Sequence, residues 1–111
     1  MIDFEAVREA ALEFPDVQGS ESARGPALKV RGKLMACPAI HKSAEPDTLM
    51  VRVSMSEREK LIAENPDLYY LTDHYKNYPA LLVRLSKIDV PTLRNLLGAL
   101  WLFVSEKSAR K

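Results

Sequence analysis

The strongest constraint on the fold is a change of hydrophobic period in the first third of the chain. Leu28 and Val30 alternate with Lys29 and Arg31, and side chains with a period of two point to opposite faces of a β-strand. Gly32 ends this run, and a second apolar run follows it. A glycine between two such runs is typical of a tight hairpin turn. The sequence therefore predicts a β-hairpin with apolar side chains on one face and cations on the other.

Other segments also have strand character, because β-branched, aromatic and apolar residues concentrate between turn-forming residues. The predicted strands after the turn span residues 34–37, 48–54, 68–72 and 80–88. The turn-rich segment 16–25 is compatible with one more short strand.

Three segments carry helix signals. The first helix is predicted over residues 3–14, with Asp3 as its N-cap and the residue before Pro15 as its end. A second, short helix is predicted from the capping box of Ser56 and Glu59. The last helix is predicted to begin after Asp89 and to bury a broad leucine-rich face.

This order of elements predicts an α+β fold. Strands joined by short connections pair mainly antiparallel, because parallel pairs need long crossovers. The apolar stripes of the terminal helices must be covered, and a two-layer sandwich with both helices on one sheet face does this. The 111 residues are the length of one domain. We therefore expect a single domain over residues 1–111, with a frayed tail over 105–111.

Charge and composition limit the classes of function. The net charge is only +1, but acidic residues concentrate in segment 1–23 and basic residues in segment 24–52. A sequence pI of about 7.9 is below the value of about 9 typical of nucleic-acid-binding domains, so any anion-binding surface must be local. The sequence shows no secretory signal or membrane-spanning run, and its single cysteine fits a reducing compartment. We expect a cytoplasmic protein that does not bind membranes.

Motifs for catalysis or for metal binding are missing from the sequence. Cys37 and His41 are four residues apart, but Pro38 lies between them in a predicted strand-to-loop segment, so helical geometry does not join them. A cysteine in an apolar strand is typically a small core residue. No zinc-ligand spacing, phosphate-binding glycine loop or serine nucleophile elbow occurs. We predict no catalytic residue, metal or cofactor, and an enzyme is the least favoured of three interpretations.

The first candidate binding site is a cluster of rings before the strand at residue 80. It contains His74, Tyr75, Lys76 and Tyr78, side chains that can stack on bases or hold a ligand. The alternative is structural, with the tyrosine rings packed under the rim of the sheet.

The second candidate site is cationic. If the apolar side chains of the predicted strands face the core, the intervening cations share the outer face, where they can contact phosphates. The alternative is a solvated strand face or an edge that lysine protects from aggregation. The candidate nucleic-acid-binding residues are Lys29, Arg31, Lys33, Lys42 and Arg52.

Several of these motifs occur in an order that points to a family. The segment Gly25–Lys33 contains a Lys-Val-x-Gly-Lys turn, His74–Pro79 reads His-Tyr-x-x-Tyr-Pro, and the last helix contains Leu-Leu-x-x-Leu-Trp. Over about residues 4–107 the chain resembles the MmcQ/YjbR family.

The resemblance implies a CyaY/frataxin-like α+β sandwich and a non-enzymatic, DNA-binding function. It assigns the basic hairpin and the His74–Tyr78 block to the DNA-binding surface. Frataxin-like folds can also bind iron through acidic residues of the first helix, where Glu5, Glu9 and Glu13 share one face here. DNA is therefore the first expected partner. The alternative is a small-molecule-binding or protein-binding module centred on His74, Tyr75 and Tyr78.

Overall fold

The computed structural model describes residues 2–22 and 25–109, and within them six strands form a single sheet. The strands are β1 (Val17–Ser22), β2 (Gly25–Val30), β3 (Lys33–Pro38), β4 (Thr48–Arg52), β5 (Tyr69–Tyr70) and β6 (Ala80–Arg84). Their spatial order is β1-β2-β3-β4-β6-β5, and every neighbouring pair is antiparallel. The predicted antiparallel sheet is confirmed, including the short strand in the turn-rich segment.

Three helices accompany the sheet in the described part of the chain: α1 (Phe4–Ala11), α2 (Met55–Glu64) and α3 (Val90–Ala109). The C-terminal helix α3 packs across β2, β3 and β4, and α1 packs against α3. The predicted α+β class is therefore confirmed. None of these helices is both long and apolar enough to cross a lipid bilayer.

The core lies between the sheet and α3. Leu28, Val30, Leu49 and Val51 are completely buried on the sheet side, and Leu97 is completely buried on the helix side. These strand residues are the apolar members of the alternating runs, so the period of two places them on the helix-covered face. We call this face the closed face and the opposite one the open face.

The β2–β3 turn is set by its backbone conformation. Arg31 and Gly32 both have positive φ, at 50° and 82°, between the paired residues Val30 and Lys33. Two positive-φ residues define the type I′ turn, whose twist matches that of antiparallel strands. The predicted hairpin turn is confirmed, but Lys33 pairs with the buried Val30 and Lys29 pairs with Leu34, so these two cations do not project to one face.

Both predicted aspartate caps are present, but the cap of α2 is not at Ser56. The Asp3 carboxylate accepts from the Ala6 N–H at 3.0 Å, and the Asp89 carboxylate accepts from the Thr92 N–H at 2.9 Å. Helix α2 instead begins after Ser54, whose hydroxyl accepts from the backbone N–H three residues later at 3.1 Å. Because β4 ends two residues before Ser54, the chain is free to enter the helix there.

Other element ends also differ from the sequence prediction. Helix α1 ends at Ala11, and tight i−3 hydrogen bonds carry the chain through Phe14. Strand β6 ends at Arg84 because a turn follows, closed by a hydrogen bond from the Lys87 N–H. Helix α3 continues to Ala109, through most of the predicted frayed tail, and residues 110–111 lie outside the described residues.

Candidate functional site

The open face of β2, β3 and β4 forms the base of the candidate site. Lys29 pairs with Leu34 and Cys37 pairs with Met50 across the sheet. Directly paired residues of antiparallel strands project to the same face, and all four are only half-buried. The alternation that buries Leu28 on the closed face therefore exposes an apolar surface with one lysine on the open face.

Two loops, 39–47 and 71–79, cover part of this surface and contact each other. The imidazole rings of His41 and His74 stack with their centroids 3.6 Å apart and their planes 7° apart. The hydroxyl groups of Ser43 and Thr72 form a hydrogen bond of 2.8 Å. The ring of Tyr75 meets the His74 ring edge-on at 4.7 Å. Residues far apart in the sequence thus form one aromatic wall.

Hydrogen bonding fixes the protonation of His41. The Ser43 backbone N–H donates to His41 Nδ1 at 3.1 Å, so Nδ1 must be the unprotonated acceptor of the neutral ring. The Ser43 hydroxyl lies 2.8 Å from the same nitrogen and must therefore donate to it, so Thr72 donates to Ser43. Desolvation, the His74 ring and Lys42 together lower the pKa of His41. The hydrogen bond from Ser43 and the lowered pKa both favour the neutral ring.

Arg58 holds loop 71–79 in position through hydrogen bonds to its backbone. This side chain is only 8% exposed, and its guanidinium donates to the backbone carbonyls of Lys76 at 3.0 Å and Tyr78 at 2.9 Å. Helix α2 positions Arg58 one turn after the Ser54 cap, so the helix start determines where the loop is held.

Loop 39–47 is fastened by Arg84. Its guanidinium forms a two-point ion pair with the Glu45 carboxylate, at 3.0 and 2.8 Å, and donates to the Asp67 carbonyl at 2.9 Å. The same group lies 4.3 Å above the Tyr70 ring, and the Tyr70 hydroxyl accepts from the Glu45 N–H at 2.8 Å. The paired guanidinium lowers the pKa of Glu45 through its hydrogen bonds and its charge.

The strands and the two loops line a cavity of about 810 Å³ that is open to solvent on one side. The charged and titratable side chains around it are two lysines, two histidines, a tyrosine and a cysteine, and no described carboxylate lines it. Burial raises the pKa of the Cys37 thiol, which keeps it protonated and poorly nucleophilic. Burial also raises the pKa of Tyr75, although a hydrogen bond with the His41 backbone opposes this shift. The residues that carry these groups are Lys29, Cys37, His41, Lys42, His74 and Tyr75.

The structure brings together parts of the two sites predicted from sequence. Lys29 and Lys42 of the cationic set and His74 and Tyr75 of the ring cluster line the same cavity.

The other predicted site residues lie outside the cavity lining. Arg31 forms an ion pair with Asp16 at 3.0 Å, and Lys76 forms one with Asp73 at 3.6 Å. Lys33 and Tyr78 are exposed, Tyr78 by 56% with its ring 6.4 Å from His74. Arg52 is half-buried beside β6, and its Nε has no hydrogen-bond partner among the described residues.

Two of the three acidic residues considered for iron binding, Glu5 in α1 and Glu13 just after it, form ion pairs within the chain. Glu5 forms an ion pair with Arg8 at 3.2 Å, and Glu13 forms a two-point pair with Arg94 at 3.0 and 3.3 Å. Over residues 2–22 and 25–109, no group of three or more histidine, cysteine or acidic side chains is placed to hold a metal ion.

Sequence reasoning missed four residues that build the site. It treated Cys37 as a core residue and His41 as an isolated loop histidine, whereas both line the cavity. It gave no role to Arg58 or Arg84, because a lone arginine in a helix or strand carries no signal of the carbonyl groups it will meet. The period of two would place Cys37 on the core side, and a register shift between Leu28 and Lys29 places it on the open face instead, so no signal in the sequence reports its position.

The chain is similar to proteins that are themselves uncharacterised. It is 42% identical over 62 residues to the uncharacterised proteins Rv2570 of Mycobacterium tuberculosis and Mb2600 of Mycobacterium bovis. This alignment covers 55% of the chain and 48% of each relative, so the matched region spans about half the length of these curated relatives. No family model and no solved structure matches the chain. The resemblance to the MmcQ/YjbR family therefore stays a prediction.

Proposed function

We propose that the protein is a small-molecule-binding module and that its site is the open-face cavity. The observation that carries this proposal is the convergence on one cavity of an apolar sheet surface, an aromatic wall and two lysines. Ligand sites are usually concave and mostly apolar, with a few polar groups that orient the ligand.

The size and the construction of the cavity support this function. Its volume of about 810 Å³ lies within the range of roughly 300–1,000 Å³ typical of small-molecule sites. Its base belongs to the rigid sheet, whereas its wall belongs to two loops that Arg58 and Arg84 fasten. Binding residues are commonly carried by loops that a rigid scaffold positions.

DNA binding, the first expectation from the sequence, is the competing proposal. It needs the cations of the hairpin to act as one phosphate-contacting surface. Arg31 is engaged by Asp16, and Lys29 turns towards the cavity while Lys33 remains outside its lining. This distribution favours a small ligand over a nucleic-acid backbone.

The test compares two lysines of the same hairpin. Amide chemical shifts of the ¹⁵N-labelled protein are recorded during titration with 2-naphthoate, its neutral analogue 2-naphthamide, and duplex DNA. For wild type, we expect the naphthalene probes to shift the amides around the cavity. Lys29→Gln weakens 2-naphthoate binding several-fold, whereas Lys33→Gln, the matched control outside the cavity, leaves it unchanged.

The opposite pattern would favour DNA. Binding of duplex DNA that falls steeply between 50 and 200 mM salt, and that Lys29→Gln and Lys33→Gln weaken equally, would indicate phosphate contacts along the hairpin. Failure of both naphthalene probes to shift the cavity amides would contradict the small-molecule proposal.

A further inference from the structure

The charge of the cavity selects for anions. Its lining contributes Lys29 and Lys42, and no described carboxylate balances them there. Two of the three acidic side chains of the two loops have other partners, since Asp73 pairs with Lys76 and Glu45 pairs with Arg84. The third, Asp47, is exposed and outside the cavity lining. Cations on an apolar surface attract an anion more strongly than they would in open water, because the local dielectric constant is lower.

The two stacked histidines differ in the hydrogen bonds of their ring nitrogens. A proton on His41 Nδ1 would displace the N–H donated by Ser43, and the nearby charge of Lys42 opposes it as well. Among the described residues, the His74 ring is in contact with His41, Tyr75 and Tyr78, and no hydrogen bond engages its nitrogens. A proton on His74 therefore costs no existing hydrogen bond.

The surroundings of His74 make this protonation sensitive to a bound anion. Its partners in the wall are the neutral ring of His41 and the phenols of Tyr75 and Tyr78, and the thiol of Cys37 lies in the same cavity. The charges facing the cavity are the two lysines. A bound anion would add the opposite charge, and an opposite charge nearby stabilises the imidazolium form.

We propose that the cavity binds a hydrophobic organic anion, such as an aromatic carboxylate, and that binding is coupled to proton uptake by His74. This inference rests on the proposed function and adds the class of ligand and its pH dependence. Coupling between two sites is reciprocal, so the anion favours protonation and protonation favours the anion to the same degree.

Isothermal titration calorimetry tests the coupling in the intact protein. Affinities for 2-naphthoate and 2-naphthamide are measured between pH 8 and pH 6, in two buffers that differ in ionisation enthalpy so that proton uptake is counted directly. We expect 2-naphthoate to bind up to about tenfold more tightly at pH 6, with uptake of a fraction of a proton, since one unit of pKa shift corresponds to a factor of ten. The affinity for 2-naphthamide stays lower and flat.

Two variants assign the proton. His74→Phe keeps an aromatic ring in the stack but cannot ionise, so we expect it to abolish proton uptake. His41→Asn retains an acceptor for the Ser43 N–H, because asparagine caps the backbone two residues on. It removes one ring of the wall, so we expect it to weaken 2-naphthoate binding but to keep the proton uptake. The amide spectrum of each variant checks that it is folded.

The outcomes separate this inference from the proposed function. Equal, pH-independent binding of both probes would overturn the anion coupling and leave the small-molecule site intact. Proton uptake that persists in His74→Phe would overturn the assignment to His74. Binding of neither probe would overturn both the coupling and the proposed function.

Discussion

The two faces of the sheet are built in different ways. On the closed face, helix α3 covers the strands with side chains such as Leu97 and Leu100, which are completely buried. On the open face, Leu34 and Met50 are only half-buried, and the cover consists of two loops. The closed face is held by apolar packing, whereas the open face is held by guanidinium hydrogen bonds, a hydroxyl pair and one ring stack.

This difference separates stability from recognition. Burial of apolar area is non-directional and accumulates over many residues, so the closed face stabilises the whole domain. A few directional contacts hold a loop in one position, but each can open without unfolding the sheet. The open face can therefore admit a ligand while the core stays packed.

The largest expected effect comes from a cavity in the closed face. Leu97→Ala removes a fully buried side chain and should lower the free energy of unfolding by about 2–5 kcal/mol. The matched change on the open face, Leu34→Ala, should cost less than about 1 kcal/mol, because part of that side chain already contacts water. Urea denaturation of both variants measures the difference. Equal losses would show that the open face contributes to the core as much as the closed face does.

An intermediate effect on the free energy of unfolding is expected when the hydrogen bonds from Arg58 to loop 71–79 are removed. Arg58→Met keeps the apolar stem but leaves the carbonyls of Lys76 and Tyr78 without their donor, which should cost roughly 1–3 kcal/mol. Amide hydrogen exchange should accelerate in loop 71–79 and remain slow in β2 and β3. Lys60→Met, at an exposed position of α2, is the control. It should change neither the free energy of unfolding nor the exchange rate of loop 71–79. Uniformly faster exchange in both regions would mean that Arg58 supports the whole fold.

The closed face is the part of the molecule that sequence predicts well. The alternation around Leu28 and Val30 places both in the core, and the aspartate caps locate the starts of α1 and α3. These signals are local, because strand period and N-caps depend on residues a few positions apart. The capping box at Ser56 failed for the same reason, since Ser54 carries an equivalent local pattern and the end of β4 selects between them.

For the open-face cavity, the sequence predicts some of the lining residues but not that they line one cavity. His41 and His74 stack although 33 positions separate them, and loops have no hydrophobic period that reports such a contact. The residue pattern identified Lys29 and His74 as candidates at two separate sites, and only the family resemblance assigned both to one surface. They converge because the β3–β4 connection and the segment before β6 cover the same strands, which depends on the sheet order.

The smallest expected effect concerns the pH response of the wall on the open face. The folded protein lowers the pKa of His41, so the unfolded chain binds that proton more tightly. The neutral His41 ring therefore stabilises the folded state. This contribution is complete above the pKa of an ordinary histidine, about 6.5, and it is lost as the pH falls from there through the lowered pKa of His41 in the folded protein. Glu45 and Asp89 also have lowered pKa values, but carboxylates titrate at more acidic pH and leave this window clear.

Urea midpoints at pH 7.5 and pH 5.5 measure this contribution. We expect the midpoint of the wild-type protein to fall over this interval more than that of His41→Asn, which cannot titrate but keeps an acceptor for the Ser43 N–H. Leu34→Ala, on the same face but without a titrating group, should retain the wild-type pH response. Parallel pH responses in wild type and His41→Asn would mean that His41 titrates alike in the folded and unfolded chain, and that the hydrogen bond from Ser43 does not hold the ring neutral.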